Sequence, residues 1–243
     1  MNLLLRALSS SDLSLLDPYL IATPLSSGES VAVAGAQIRT LLFPDSATIT
    51  LSSPRPCANG VAIALVGREG MMGWSTLLGY RNAPFDAIVG LTGGAARAID
   101  IAPFNAACMA SVSLRRTVLR FAQTMTDQIA SAAACAIRDP IGRRLARWLL
   151  MLHDRQNGDE FALTHDALAA DLGTRRATVT DCLHRLEGDH VVYCARGRII
   201  VRDRGALERV AGDGYGGAEA CYRAMIGPFG RRMAAICPMT RAA

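Results

Sequence analysis

Arg175 and Arg176 stand side by side in the run LGTRRATVTDCLHRLEG, residues 172–188, where the pattern starts a helix. The unpaired N–H groups of a helix start already carry about half a positive charge, so each added cation costs about 0.3–1 kcal/mol. Such a placement makes chemical sense where an anion is to be bound. Val179, Cys182, Leu183 and Leu186 recur at helical spacing and make one apolar face, which sends Arg176, Thr180, Asp181 and His184 to the exposed side. Guanidinium, hydroxyl, carboxylate and imidazole groups on one helix face are the types that read base edges, arginine pairing best with guanine O6 and N7.

Other chemistries find less support. All four histidines, at 153, 165, 184 and 190, lie in the C-terminal half, whereas a cupin-like metalloenzyme would hold imidazole ligands inside a β-roll. The seven cysteines, at 57, 108, 135, 182, 194, 221 and 237, are odd in number and never spaced CxxC, so reduced, buried thiols are expected. A zinc set of Cys182, His184, His190 and Cys194 would need side chains from opposite helix faces. VGREGMMG, residues 66–73, lacks the spacing of a dinucleotide site and reads as a tight turn. No catalytic residue, metal ligand or cofactor is expected.

The elements that must position the two arginines can be read outward from them. Thr164 caps a short helix ending at Leu172-Gly173, and Thr174 caps a second running to about Glu187; the Gly-containing turn between them makes a helix-turn-helix. VVYC and RIIVR, joined by ARG, form a β-hairpin wing. Upstream, Asp139-Pro140 supplies an N-cap followed by proline at the first helical position, ending a long helix near Arg138 and marking both residues as a hinge. Ile141, Leu145, Trp148, Leu149 and Leu152 give the next helix one apolar face. On the long helix, Val118, Ala122, Met125, Ile129, Ala132 and Ala136 recur in steps of four and three. That seam packs either on its own domain or on its copy in a second chain, and periodicity alone favours neither. From about residue 20 to 106, short apolar stretches separated by turn residues, with Asn59-Gly60 as a type I′ hairpin signal, predict an antiparallel roll.

The 243 residues include 26 basic ones, all arginine, and the formal net charge is +5. Residues 1–137 hold 9 Arg against 8 acids and residues 138–243 hold 17 against 13, so the excess that would suit a polyanion sits in the C-terminal part. Without an apolar run of 18 residues no membrane partner is expected, and Arg6 and the SSSD run break the N-terminal apolar stretch, which implies a cytoplasmic protein.

Roll, long helix and winged helix-turn-helix, in that order, resemble the Crp/Fnr transcription regulators. The resemblance is carried by GAQIRTLLFPDSATIT, VGREGMMG, RRLARWLLMLHDR, LTHDALAADLGTRRATVTDCLHRLE and ARGRIIVRDRGALE. It implies an α+β chain with four parts: a β-roll sensor of the cyclic-nucleotide-binding type over 1–110, a dimerisation helix over 111–138, a winged helix-turn-helix over 139–211 and a tail over 212–243. It further implies a homodimer joined through Val118, Ala122, Met125, Ile129, Ala132 and Ala136, bound to an inverted repeat in double-stranded DNA, with RNA polymerase as a further partner. Arg176, Thr180, Asp181 and His184 would face bases, and Thr164, Arg175, Thr178, Arg196 and Arg198 would meet phosphates. The departures are specific. Trp74 stands where cyclic-nucleotide-binding members carry a ribose-binding glutamate, Ala83-Pro84 fall near the place of the phosphate arginine, and Arg81 lacks the Ser or Thr that follows that arginine. cAMP is therefore not the expected effector, which stays unidentified, and with no Cys before Cys57 an N-terminal iron-sulfur cluster is not expected either. Ala177 and Asp181 depart from the cAMP receptor protein's recognition helix, implying a different half-site. The competing reading is a β-roll binding module whose helix-turn-helix serves protein contacts, separable by the salt dependence of duplex binding. The tail is expected to hold one short helix near 217–226.

Overall fold

Two short helices, α1 (Leu3–Arg6) and α2 (Ser10–Leu16), open the chain, capped by the side chains of Asn2 and Ser9. Seven strands follow: β1 (Ile21–Leu25), β2 (Ser30–Ala32), β3 (Thr40–Pro44), β4 (Ile49–Ser52), β5 (Ala62–Val66), β6 (Asp86–Val89) and β7 (Gly94–Asp100). The structure, a computed structural model, describes residues 1–54, 60–90 and 92–231. The strands make two antiparallel sheets, ordered β1-β7-β3 and β2-β6-β4-β5. Alternation decides which side chains meet between them: Ile49 and Leu51 of β4 point inward with Phe43, Ala64, Val66 and Ile99, while Thr50 points outward. The sequence pattern does not mark β1 as a separate strand, because Pro24 interrupts it; it lies at a sheet edge, where proline is tolerated.

The expected two-residue turn at Asn59-Gly60 is not how β4 and β5 are joined. They are antiparallel neighbours whose pairing is continued by Ser53 N–H donating to Val61 O, where a turn at Asn59-Gly60 would pair Val61 with residue 58. Asn59 itself lies outside the described residues.

The remaining elements are α3 (Ile101–Ala110), α4 (Val112–Arg138), α5 (Ile141–Arg155), β8 (Glu160–Ala162), α6 (His165–Leu172), α7 (Arg176–Gly188), β9 (Val192–Ala195), β10 (Arg198–Val201), α8 (Arg204–Ala211) and α9 (Gly217–Met225). α3, β8 and α8 add to the elements expected from the sequence, and α9 falls where the tail helix is expected. The boundary between α4 and α5 differs in detail from the sequence reading. Asp139 is the C-cap of α4 and Pro140 the N-cap of α5, so Asp139 does not start the new helix. Its carboxylate instead lies 3.0 Å from Arg138 Nε, and the bonds from Arg138 hold it below the usual carboxylate range.

The long helix requires a larger correction. Val118, Ala122 and Met125 are buried in the chain's own roll core, with Ile129 packed against it, so they are not free to face a second copy. Ala132 is half-buried and Ala136 exposed, and both line a cleft beside Trp148 and Leu172. The apolar residues of the seam are apolar because the roll covers them. The neighbouring ridge of α4 stays open, with Val112 73% and Ile137 91% exposed.

A second core gathers α5, α6, α7, α8 and the sheet β8-β10-β9. The two cores touch through β5, whose Leu65 faces out of the roll and is buried in the second core. They are also joined by charge. Arg155, at the end of α5, lies with Nη2 2.8 Å and Nε 2.9 Å from Glu69 Oε1 in the roll turn, both side chains being almost fully buried. Behind them the C-terminal segment closes over the pair: Tyr222 Oη donates to Glu69 O at 2.7 Å, and the Phe229 ring lies 5.3 Å from the Arg155 guanidinium carbon. That turn leaves no room for a side chain at Gly70, where a Cβ would stand 2.2 Å from the Phe121 ring.

Candidate nucleic-acid interface

α6 and α7 are set at their angle by local chemistry that the sequence displays. Thr164 Oγ1 accepts from Ala167 N–H at 3.1 Å and so caps α6, as expected. Gly173 ends α6 with φ +62°, a left-handed conformation that glycine adopts without penalty, and a Cβ there would stand 2.6 Å from Val61 Cγ2 of the roll. Arg144 Nη2 donates to Leu172 O at 2.8 Å and satisfies one carbonyl of the turn. The N-cap of α7 is Arg175, one residue beyond the expected Thr174, and no side chain caps it. No acidic residue sits in the first turn either.

The leading end of α7 is thus an uncapped helix N-terminus with Arg175 at its cap and Arg176 at its first position, both exposed. Backbone N–H groups, macrodipole and guanidinium groups there all favour an anion. The nearest carboxylate, Asp166 Oδ1, is 3.6 Å from Arg176 Nε with both side chains about two-thirds exposed. A pair this exposed contributes under about 1 kcal/mol and is readily exchanged for a phosphate or a base.

Val179, Leu183 and Leu186 are buried, so α7 presents Arg176, Asp181 and His184 outward as the spacing requires. Thr180 differs: it is half-buried and its Oγ1 lies 2.9 Å from His165 Nδ1, so His165 of α6 fixes its orientation. Thr178 is half-buried at the edge of the same helix. The wing is β9 and β10, turned at Gly197 with φ +70° and backed by β8. Arg196 is exposed at its tip, whereas Arg198 is shared with Glu160 at 3.1 Å. Sequence reasoning misses two exposed cations: Arg185 on α7, and Arg202, whose guanidinium lies 5.5 Å from the Tyr193 ring. Their only sequence signal is an arginine near the helix or wing, which many structural arginines share.

Burial shifts titratable groups in this domain, Asp171 and His153 among them. Asp171, at the end of α6, accepts from Trp148 Nε1 at 3.1 Å, yet burial outweighs that bond and pushes its carboxyl up to about 6. Burial also lowers His153, whose Nδ1 receives Arg204 Nη1 at 3.0 Å; because arginine only donates, Nε2 carries the proton toward Asp159.

Part of the roll's interior is closed by apolar side chains. Trp74, Met71, Met72 and Ala83 are buried together with Leu41 in one core, and Arg81 points to solvent. Among the described residues, no three His, Cys, Asp or Glu side chains are placed to hold a metal ion, and no helix is long and apolar enough to cross a membrane.

Residues 143–210 match the family described as the Crp-like helix-turn-helix domain. Solved structures agree with the whole architecture. FixK2 from Bradyrhizobium japonicum superimposes with a TM-score of 0.69 at 14% identity, over 79% of this chain and 98% of its own. TTHB099, a CRP-family transcriptional regulator from Thermus thermophilus, gives 0.65 at 21% identity, over 79% and 97%. The c-di-GMP-responsive global regulator CLP of Xanthomonas campestris gives 0.62 at 13% identity, over 79% and 99%. No curated protein matches the sequence. The chain has the α+β fold of the Crp/Fnr transcription regulators: a β-roll, a long helix and a C-terminal Crp-like helix-turn-helix domain.

Proposed function

We propose that this chain, with its Crp-like helix-turn-helix domain on a Crp/Fnr fold, regulates transcription in the cytoplasm by binding an inverted-repeat DNA site as a homodimer. The observation that carries the reading is the uncapped start of α7 with Arg175 and Arg176 exposed upon it. That end of a second helix is what enters the major groove in a helix-turn-helix. Arg176, Asp181 and His184 then meet base edges, with Thr180 held by His165 as a contact of fixed orientation. Arg175, Thr164, Thr178, Arg196 and Arg198 meet phosphates, and RNA polymerase is the further partner of a DNA-bound regulator.

The dimer surface is the open ridge of α4, one residue out of phase with the buried seam. Val112, Arg116, Leu119, Gln123, Thr126, Ala130, Ala133 and Ile137 follow each other in steps of four and three, the spacing of a coiled-coil face. Alanines near its C-terminal end allow close approach, and the exposed Val112 and Ile137 gain most from being covered. The sensor answers an effector other than a cyclic nucleotide, a reading supported by Trp74 and Ala83 occupying the roll core and by Arg81 lying outside it.

Selection from a random duplex library tests the function. An enriched inverted repeat with half-site centres about one helical turn apart supports it. An unbiased pool, or binding that does not weaken steeply with salt, sinks it and favours a helix-turn-helix used for protein contacts.

A further inference from the structure

A cavity of about 410 Å³ lies between the outer face of the β2-β6-β4-β5 sheet and the winged-helix domain. It is separate from the roll's apolar interior. On the sheet side Thr48, Thr50 and Ser52 line it at alternate positions of the β4 strand and its approach, so their side chains share one face. Thr48 and Ser52 are 5% and 8% exposed, and no hydrogen bond among the described residues engages any of the three hydroxyls. The three hydroxyls are therefore available to an occupant of the cavity.

Ser30, Thr92 and Gln156 add further polar groups, and the charged ones are two carboxylates. Asp86 keeps one carboxylate oxygen for Ala34 N–H and Asp171 keeps one for Trp148 Nε1, leaving each a second oxygen. Among the described residues no arginine or histidine lines the cavity, and its two carboxylates disfavour an anion. The wall from the winged-helix domain is apolar, made by Leu152, Phe161, Leu163 and Ala167. The volume is at the small end of what small-molecule pockets offer.

We propose that this cavity is an effector site for a small amphipathic amine, its apolar body against Phe161 and Leu163 and its ammonium or N–H edge toward the Thr48-Thr50-Ser52 face and the two aspartates. The occupant touches roll and winged-helix domain at once and therefore favours the arrangement in which they are docked. By linkage, its affinity and the affinity for DNA change each other by the same factor. That coupling rests on the DNA-binding reading; the site itself does not.

Phenylbutylamine and its matched acid, phenylbutyrate, are the probes, and the reporter is the fluorescence of Trp148, whose indole bonds the cavity residue Asp171. The amine should saturate the full chain with a dissociation constant of about 1 mM or below, as its dozen or so heavy atoms allow, and the acid should bind at least about tenfold more weakly. Ala167→Leu, which fills the cavity from α6, and Thr50→Val, which removes the central hydroxyl, should each weaken the amine by about threefold or more; if one fails to fold, the other reads the opposite wall. Equal binding of amine and acid, undiminished binding by both variants, or no saturation by about 10 mM amine overturns the site. Saturable amine binding that leaves duplex affinity unchanged overturns the coupling alone. Loss of specific duplex binding by the unliganded wild type would strike the regulator reading and leave the site standing.

Discussion

Removing the guanidinium of Arg155 probes the bond between the two cores. Arg155→Met keeps most of the apolar stem but strands the Glu69 carboxylate, buried with one oxygen already without a partner among the described residues. It also deprives Leu65 O of a donor at 3.4 Å. Stranding one member of a buried ion pair costs about 3–5 kcal/mol. For a chain of this size each kcal/mol lowers the melting temperature by roughly 2–4 °C, so a fall of roughly 6–20 °C is expected. Glu69→Met, made alone, should cost a similar amount, because it strands the guanidinium and removes the acceptor that Gly67 N–H finds at 3.1 Å. In the double variant no charge is left unpaired, so its loss should be well below the sum of the singles, with a coupling energy of about 2 kcal/mol or more. Urea unfolding of all four proteins at one pH measures this cycle. Strict additivity, or a single-variant cost under about 1 kcal/mol, would refute the claim that these charges need each other. The singles should also separate the unfolding of roll and winged-helix domain, giving non-coincident fluorescence and circular-dichroism transitions.

Other expectations are more direct. Arg176→Ala should cost about 1–3 kcal/mol at the selected site and relax preference at one position per half-site, while Arg175→Ala should weaken all duplexes alike and lower the salt slope by roughly one for each phosphate left unpaired; titrations at several salt concentrations distinguish the two. Leu119→Glu with Ile137→Glu should give folded monomers in sedimentation, whereas Met125→Glu should unfold the roll, because Met125 is 1% exposed in its core. Asp171→Asn should stabilise the fold by about 1–2 kcal/mol at pH 8, relaxation of the site reducing the roughly 3 kcal/mol that the raised carboxyl would otherwise give. Since the folded chain holds that proton more tightly, this gain should fade as pH falls from about 6 toward the usual 3.8, as melts across that window would register. Tyr222→Phe should cost about 1 kcal/mol for the lost bond to Glu69 O, and Tyr222→Ala about 3–5 kcal/mol through the cavity left beside Phe229, again read by urea midpoints.

What can be read from the sequence is whatever is settled within a few residues. Thr164 and Gly173 announce the ends of α6 by their own chemistry, and the apolar spacing of Val179, Leu183 and Leu186 fixes which way α7 turns. Sequence reasoning puts the N-cap of α7 one residue early because threonine is the better cap, yet the turn after Gly173 runs one residue longer and leaves Thr174 just ahead of the cap. Long-range partners are not legible. Periodicity finds an apolar seam on α4 but does not say whether roll or second chain covers it, and the ridge that stays open is mostly Arg, Gln, Thr and Ala, which looks like an ordinary solvent face. Nor does the run RRLARWLLMLHDR distinguish Arg143, exposed, from Arg147 and Arg155, buried. A helix buried on nearly all sides has to find partners for its charges, and those partners lie far along the chain, in Glu69, Gln128 and Gly214.

That division of the arginines sharpens the argument from charge. A surplus of positive residues in the C-terminal part says little while some of them are committed inside the protein. Arg155 is neutralised by Glu69, Arg204 by Asp154 and Glu208, and Arg147 spends its donors on the carbonyls of Gly214 and Gln128. Among the described residues the arginines at the start of α7 and at the wing tip have no such claims: Arg176 has a loose, solvated neighbour, and Arg175 and Arg196 stand exposed. Placing cations beside a helix N-terminus without a cap or a first-turn acid is locally unfavourable, and the surrounding fold does nothing to relieve it. A bound phosphate backbone would relieve it, since each neutralised phosphate also releases its counterions. The unrelieved charge at α7 is thus a cost that the free protein bears and that, on the proposed function, a DNA complex would remove.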